Sequence, residues 1–193
     1  MSVDQFTGYL MPGENLIWWG QPRQGFMLTS RDVLLIPFSL LWGGFALFWE
    51  ASVVRSGAPF FFRIWGVPFV LIGLYIILGR FITDVWVRRN MLYALTDQRV
   101  LIVRRSPSFK FTALNIDQLP SAELEEGRDG RGTIRFGASS LFGTFAAGTR
   151  GGFGIWSPAL DPTPQLLGIE DVRNVFNQIQ KLIALRHSSA PRE

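Results

Sequence analysis

Hydrophobic positions along this chain follow two different patterns. From Val33 to Trp49 there are 17 consecutive residues without a charge, and from Ile64 to Gly79 another 16, continued past Arg80 by Phe81 and Ile82. At ~1.5 Å per residue the first run makes about 26 Å of helix, a little under the roughly 20 residues of a full membrane span. The runs stand 14 residues apart, and Trp18, Trp19, Trp49, Trp65 and Trp86 fall where membrane–water boundaries would lie, as an aromatic belt requires. Two such helices in a soluble core would need more covering chain than the remainder supplies. The pattern predicts a transmembrane helical hairpin over 32–87, with spans at about 33–54 and 60–82, and Arg80 snorkelling to the headgroups. Pro37 and Pro68 are expected to kink the spans. Gly43, Gly44, Gly66 and Gly73 offer close approach to a neighbouring helix, although membrane helices carry much glycine anyway and no GxxxG occurs.

After Arg88-Arg89-Asn90 the apolar runs shorten and become rich in β-formers separated by turn residues. Met91–Leu95 and Arg99–Arg105, joined by Thr96-Asp97-Gln98, predict a hairpin. Phe109–Leu114, Ala122–Glu126, Gly132–Phe136, Thr144–Ala147 and Phe153–Trp156 predict further strands, six to seven in all. Asp161-Pro162-Thr163-Pro164 then turns into a helix expected from about Ile169 to Arg186, whose stripe Ile169, Val172, Phe176, Ile179 and Ile183 suits packing on a sheet. This places an α+β domain over 88–187, a strand group followed by one capping helix, with 188–193 as a disordered tail. Residues 1–31 hold too little apolar mass for a core of their own. They are expected to combine interfacial tryptophans with a short strand or turn laid on the later domain.

Charge refines the picture. Lys and Arg number 19 against 15 Asp and Glu, a net charge of +4, and seventeen of the nineteen are Arg, gathered around the apolar runs. That distribution points to a bilayer rather than to nucleic acid. Arg23, Arg31, Arg80, Arg88, Arg89 and Arg99 flank the outer ends of the hairpin, and only Arg55 and Arg63 lie in its loop, which predicts a multi-pass topology with both termini cytoplasmic. Glu50 and Arg63 are expected to pair across the loop mouth, a rim contact of little energetic weight. The first run follows more than thirty residues that include Asp4, Glu14, Arg23 and Arg31, unlike a cleaved signal sequence, so it is expected to be retained.

Several motifs together carry a resemblance. Leu10-Met11-Pro12-Gly13-Glu14, then a membrane hairpin, then Tyr93-Ala94-Leu95-Thr96-Asp97-Gln98-Arg99-Val100-Leu101-Ile102, Gly132-Thr133-Ile134-Arg135-Phe136-Gly137 and finally Ile169-Glu170-Asp171-Val172-Arg173-Asn174-Val175-Phe176 resemble the bacterial membrane-anchored pleckstrin-homology-like (PH-like) proteins. The similarity covers nearly the whole chain, and Tyr-x-Leu-Thr-x-x-Arg is its most specific piece. It implies a strongly bent seven-stranded antiparallel sheet or barrel with a C-terminal helical cap. It also implies a binding or scaffolding role at a bacterial inner membrane, and no reaction.

The chemistry of the residues agrees with that restraint. With no cysteine, thiolate catalysis and Cys-ligated metals are excluded, and one histidine, His187, argues against a Ser-His-Asp triad or a His-based metal site. Neither catalytic residues nor a cofactor are expected. Gly127-Arg128-Asp129-Gly130-Arg131-Gly132 reads as a hairpin turn rather than a phosphate loop, because it lacks Gly-Lys-Ser/Thr and a following helix. Glu123, Glu125 and Glu126 have no base or metal ligand beside them. Candidate lipid or anion contacts are Arg88, Arg89, Arg99, Arg104 and Arg105 at the membrane junction, where the positive-inside bias alone also accounts for them, and Arg150 in a glycine-rich connection. The expected protein is a non-enzymatic membrane-surface module binding a protein, a peptide, anionic lipid or a second copy of itself. The alternative is an accessory or assembly subunit docking through its hairpin onto a larger membrane complex.

Overall fold

The computed structural model describes residues 6, 8–119, 121–127, 129–137 and 156–189. The chain divides into two compact units: residues 25–85 form one, and residues 1–24 together with 86–193 form the other. The N-terminal segment thus belongs with the sheet domain.

The sheet domain holds β1 (Leu16–Gly20), β2 (Met91–Thr96), β3 (Arg99–Arg104), β4 (Lys110–Asn115), β5 (Ala122–Glu126), β6 (Gly132–Phe136) and β7 (Gln165–Ile169). They make two antiparallel sheets, ordered β1-β2-β3-β4 and β5-β6-β7, and among the described residues no closed barrel forms. Strands β2 and β3 are buried on both faces. Tyr93, Leu95, Val100 and Ile102 turn inward onto Ile134, Leu166 and Ile169 of the second sheet. Leu92, Ala94, Leu101 and Val103 form a separate cluster on the outer face, covered by Phe6, Tyr9, Leu10 and Leu16. An antiparallel sheet ordinarily leaves one face to water and alternates accordingly. Here the N-terminal segment covers that face, which is why β2 and β3 read as unbroken apolar runs. A bulge between Leu16 and Trp18 in β1 shifts the side-chain alternation. Leu16 therefore packs on the outer cluster while Trp18, two residues on, packs on the inner core. Trp18 accordingly does not project as the interfacial tryptophan expected of it.

The helix after Asp161-Pro162 begins later than its apolar stripe suggested. Residues 165–169 form β7, and Gly168 (φ 54°) and Asp171 (φ 48°) are left-handed, a conformation that interrupts an α-helix. The third helix, Val172–Ser189, follows, so Ser188 and Ser189 are helical rather than tail. The expected strands at 144–147 and 153–156 lie outside the described residues apart from Trp156, which is in a turn.

The second unit contains α1 (Asp32–Arg55) and most of α2 (Phe60–Arg89), both long and apolar enough to cross a membrane. α2 includes one π-helical stretch, Tyr75–Gly79. The helices approach closely at glycines. A Cβ on Gly73 would lie 3.1 Å from the Gly43 Cα, and one on Gly66 would strike the Glu50 carboxylate and the Trp49 ring. Gly43, Gly66 and Gly73 therefore serve contact between the hairpin's own helices, whereas Gly44 faces open space. Arg80 does not snorkel. It is 2% exposed and its Nη1 donates to Asp32 Oδ1 at 2.6 Å, while Asp32 Oδ2 accepts the Thr29 amide and hydroxyl at the start of α1. Nor do Glu50 and Arg63 pair: Glu50 Oε2 and Arg63 Nε are both buried without a hydrogen-bond partner.

Candidate functional site

Two sequence motifs far apart in the chain meet in the sheet domain. Thr96 and Arg99 bracket the β2–β3 turn, where the Thr96 hydroxyl accepts the Arg99 amide at 2.8 Å, an arrangement Thr adopts readily in turns. The same hydroxyl donates to Glu14 Oε1 at 2.7 Å, and Arg99 grips both Glu14 oxygens, Nε to Oε1 at 3.0 Å and Nη2 to Oε2 at 2.6 Å. The Met11 amide adds a fourth donor at 2.7 Å. The Arg99 hydrogen bonds, helped by the Met11 amide and the Thr96 hydroxyl and opposed by burial, hold the Glu14 carboxyl at about 2; Arg99 is raised in return by Glu14. Asn15 reinforces the contact through its amide and Nδ2 to the Asp97 carboxylate, each at 3.0 Å. Arg99 is therefore committed to clamping the N-terminal cover, and is only 8% exposed. It is not a surface cation.

Register places the other arginines. Gly20 pairs with Tyr93, Met91 with Arg104, and Arg104 with Lys110, and the Arg105 amide donates to the Asn90 carbonyl at 2.9 Å. The β3–β4 turn, residues 105–109, thus lies at the end of the first sheet where the chain departs near Gln24 and returns near Trp86. Arg88 at this end is turned inward, 1% exposed, with Nη1 donating to the Arg23 carbonyl, so it too leaves the set of surface cations. Arg89, Arg105 and Lys110 are exposed. Phe109 beside them is 61% exposed and, with Phe111, stacks on Tyr9 at centroid distances of 6.4 and 5.2 Å. Lys110 and Phe109 were not among the residues expected here, since neither belongs to an arginine pair. The Pro107-Ser108 turn signal ahead of a strand start is the cue that brings both to the sheet's end.

Arg104 is half-buried, and burial pushes its guanidinium down from its ordinary value. Its Nη2 reaches Ser108 Oγ at 3.4 Å, while its Nε has no acceptor. It lines a cleft of about 40 Å³ together with Lys110, Thr112, Asp161, Thr163 and Gln165. That is room for a few waters, not for a nucleotide or an organic cofactor. A broader groove of about 640 Å³ runs along Trp18–Gln24, Arg131, Gly168 and Glu170, but its charges are already matched, Arg131 with Glu170 and Arg23 with Asp129.

On the acidic strand β5, Glu125 pairs with Arg135 at 3.2 Å and Glu126 with Arg173 at 2.7 Å. Among the described residues no group of three or more His, Asp or Glu could hold a metal ion. Arg150, Arg128 and the glycine-rich stretch 148–154 lie outside the described residues, as does the His187 side chain. Of the remaining interfacial tryptophans, Trp19, Trp65 and Trp86 are exposed and Trp49 is half-buried against Gly66. No family model, no curated protein and no solved structure matches this chain.

Proposed function

We propose that this chain is a membrane-anchored, non-enzymatic module of the PH-like type, held at the cytoplasmic face of a bacterial inner membrane by α1 and α2 and docking the basic end of its sheet domain on anionic lipid headgroups. The observation that carries the reading is the gathering of Arg89, Arg105, Lys110 and exposed Phe109 at the sheet end where the chain departs and returns. Basic residues near an anionic surface attract it by roughly 1 kcal/mol each, and an aromatic ring beside them suits the headgroup boundary. Anchoring is supported by the burial of only 28% and 17% of the apolar windows of the two helices; core helices of a soluble protein would bury most of theirs. The accessory-subunit alternative loses part of its motivation, since Gly43, Gly66 and Gly73 are used within the hairpin itself.

The test is hydrogen exchange of the full chain in nanodiscs of phosphatidylglycerol against phosphatidylcholine. Residues 104–112 should exchange more slowly over the anionic lipid, in a salt-sensitive way, and Arg89→Gln/Arg105→Gln/Lys110→Gln should abolish the difference. Equal exchange over both lipids refutes the docking. Release of the protein by alkaline carbonate without detergent refutes the anchoring.

A further inference from the structure

The loop end of the hairpin carries unsatisfied polar atoms that play no part in lipid docking by the sheet domain, and their use depends on the proposed placement of α1 and α2 in a bilayer. Glu50 lies five residues before the end of α1, and its carboxylate rests on the bare Cα of Gly66, where a Cβ would come within 1.7 Å of Oε2. Arg63 lies one turn before Gly66 on α2. Glu50 Oε2 and Arg63 Nε are both buried and neither has a partner. A buried charge left unsatisfied is costly, and here one acceptor and one donor are left at the same end of one helix pair. Next to them the two helices enclose an apolar cleft of about 320 Å³ lined by Trp42, Phe45, Ala46, Trp49, Trp65 and Phe69, at the lower end of small-ligand pockets, roughly 300–1,000 Å³. Trp42, Phe45, Ala46 and Trp49 follow a three-to-four spacing down α1, and Trp65 and Phe69 match it on α2. The charged pair therefore caps an aromatic trough leading away from the loop.

Depth agrees with this arrangement. α1 has 24 residues, ~36 Å of helix against a hydrocarbon core of roughly 30 Å, so Glu50, ~7.5 Å from its end, stands about 5 Å inside the hydrocarbon edge, within a side chain's length of the headgroups. A ligand that satisfies the site must offer a hydrogen-bond donor to Glu50, an anionic acceptor to Arg63, and an apolar tail to the trough.

We infer that the loop end of the hairpin binds a zwitterionic aminophospholipid of the phosphatidylethanolamine class: ammonium on Glu50, phosphate on Arg63, an acyl chain along Trp49, Trp65 and Phe69. A primary ammonium brings three N–H donors and gains further from the flanking indoles. A trimethylammonium headgroup has no N–H for Glu50, and a glycerol headgroup brings no cation to it.

The experiment is native mass spectrometry of the detergent-solubilised full chain with equimolar phosphatidylethanolamine, phosphatidylcholine and phosphatidylglycerol. The wild type should retain phosphatidylethanolamine in roughly tenfold preference over phosphatidylcholine, as expected for charge-assisted hydrogen bonds present with one headgroup and missing with the other. Glu50→Gln should bring the preference close to parity, whereas Arg63→Gln, which loses the contact to the phosphate that both lipids carry, should lower the retention of both. Equal retention of phosphatidylethanolamine and phosphatidylcholine by the wild type overturns the inference without recourse to any variant. A preference undiminished in Glu50→Gln, or retention undiminished in Arg63→Gln, overturns it equally. Alkaline carbonate extraction of the same membranes separates the two failures: a released chain removes the anchoring on which the site rests, while a retained chain without lipid preference removes the site alone.

Discussion

Glu14→Gln perturbs the sheet domain at its clamp while leaving its shape almost unchanged. The carboxylate receives four donors, from Arg99 Nε and Nη2, the Thr96 hydroxyl and the Met11 amide. They hold the carboxyl at about 2 against 4.5 for the free group. That gap of about 2.5, at ~1.36 kcal/mol per pKa unit, corresponds to about 3 kcal/mol of stability at neutral pH. Removing the charge also leaves Arg99 buried opposite a neutral amide, a situation that costs about 3–5 kcal/mol, so two routes give the same order. Because Glu14 belongs to the N-terminal cover, the loss should appear as local opening of residues 8–20 and of the outer face of β2 and β3. Hydrogen exchange of the full chain in detergent at pH 7 should show protection there falling by roughly a hundredfold, with the hairpin unaffected. The folded carboxyl titrates below the unfolded one, so the stabilisation is complete above about 4.5 and is lost as pH falls toward 2. The ratio of wild-type to variant protection should accordingly be flat from pH 7 to 5 and shrink toward one below it. A ratio under about threefold at pH 7, or one unchanged down to pH 3, would refute the reasoning. Replacing both partners, Glu14→Leu with Arg99→Met, should recover most of the loss, since no uncompensated charge then remains.

Further outcomes rest on single contacts. Tyr93→Phe deprives the buried Leu167 amide of its acceptor, now 3.1 Å away on the other sheet; thermal unfolding of the full chain should show a loss of about 1–3 kcal/mol, and a loss under about 0.5 kcal/mol would mean that water or another group replaces the hydroxyl. Gly73→Leu drives a side chain into the Gly43 backbone, whereas Gly44→Leu enters open space. The first should destabilise the hairpin by about 1–3 kcal/mol and the second by no more than about 0.5, read as melting in the same detergent; equal effects would place the helix contact elsewhere.

Legibility in the sequence varied with how local each feature is. The hairpin positions and β2, β3, β4, β5 and β6 were readable because each rests on a period of a few residues. β7 was missed because Gln165–Ile169 is buried on every side, leaving no alternation to read, and its final Ile169 fits a helical stripe equally well. The arginine cluster was visible in the sequence, and only contacts divide it. Arg88 turns to the Arg23 carbonyl and Arg99 to Glu14, while Arg89 and Arg105 remain outside.

Local pattern by itself determined that two apolar helices interrupt a strand-rich α+β domain, that no cysteine thiolate is available, and that positive charge collects at the junction. The length of an apolar run and its period are properties of neighbouring residues, so no fold is needed to read them. What a charge does is decided by its partner. Glu14 finds Arg99 across 85 positions and Asp32 finds Arg80 across 48. Only the tertiary structure brings those residues within hydrogen-bond reach, turning an arginine expected to snorkel into a helix tie and an expected lipid contact into the clamp on the N-terminal cover.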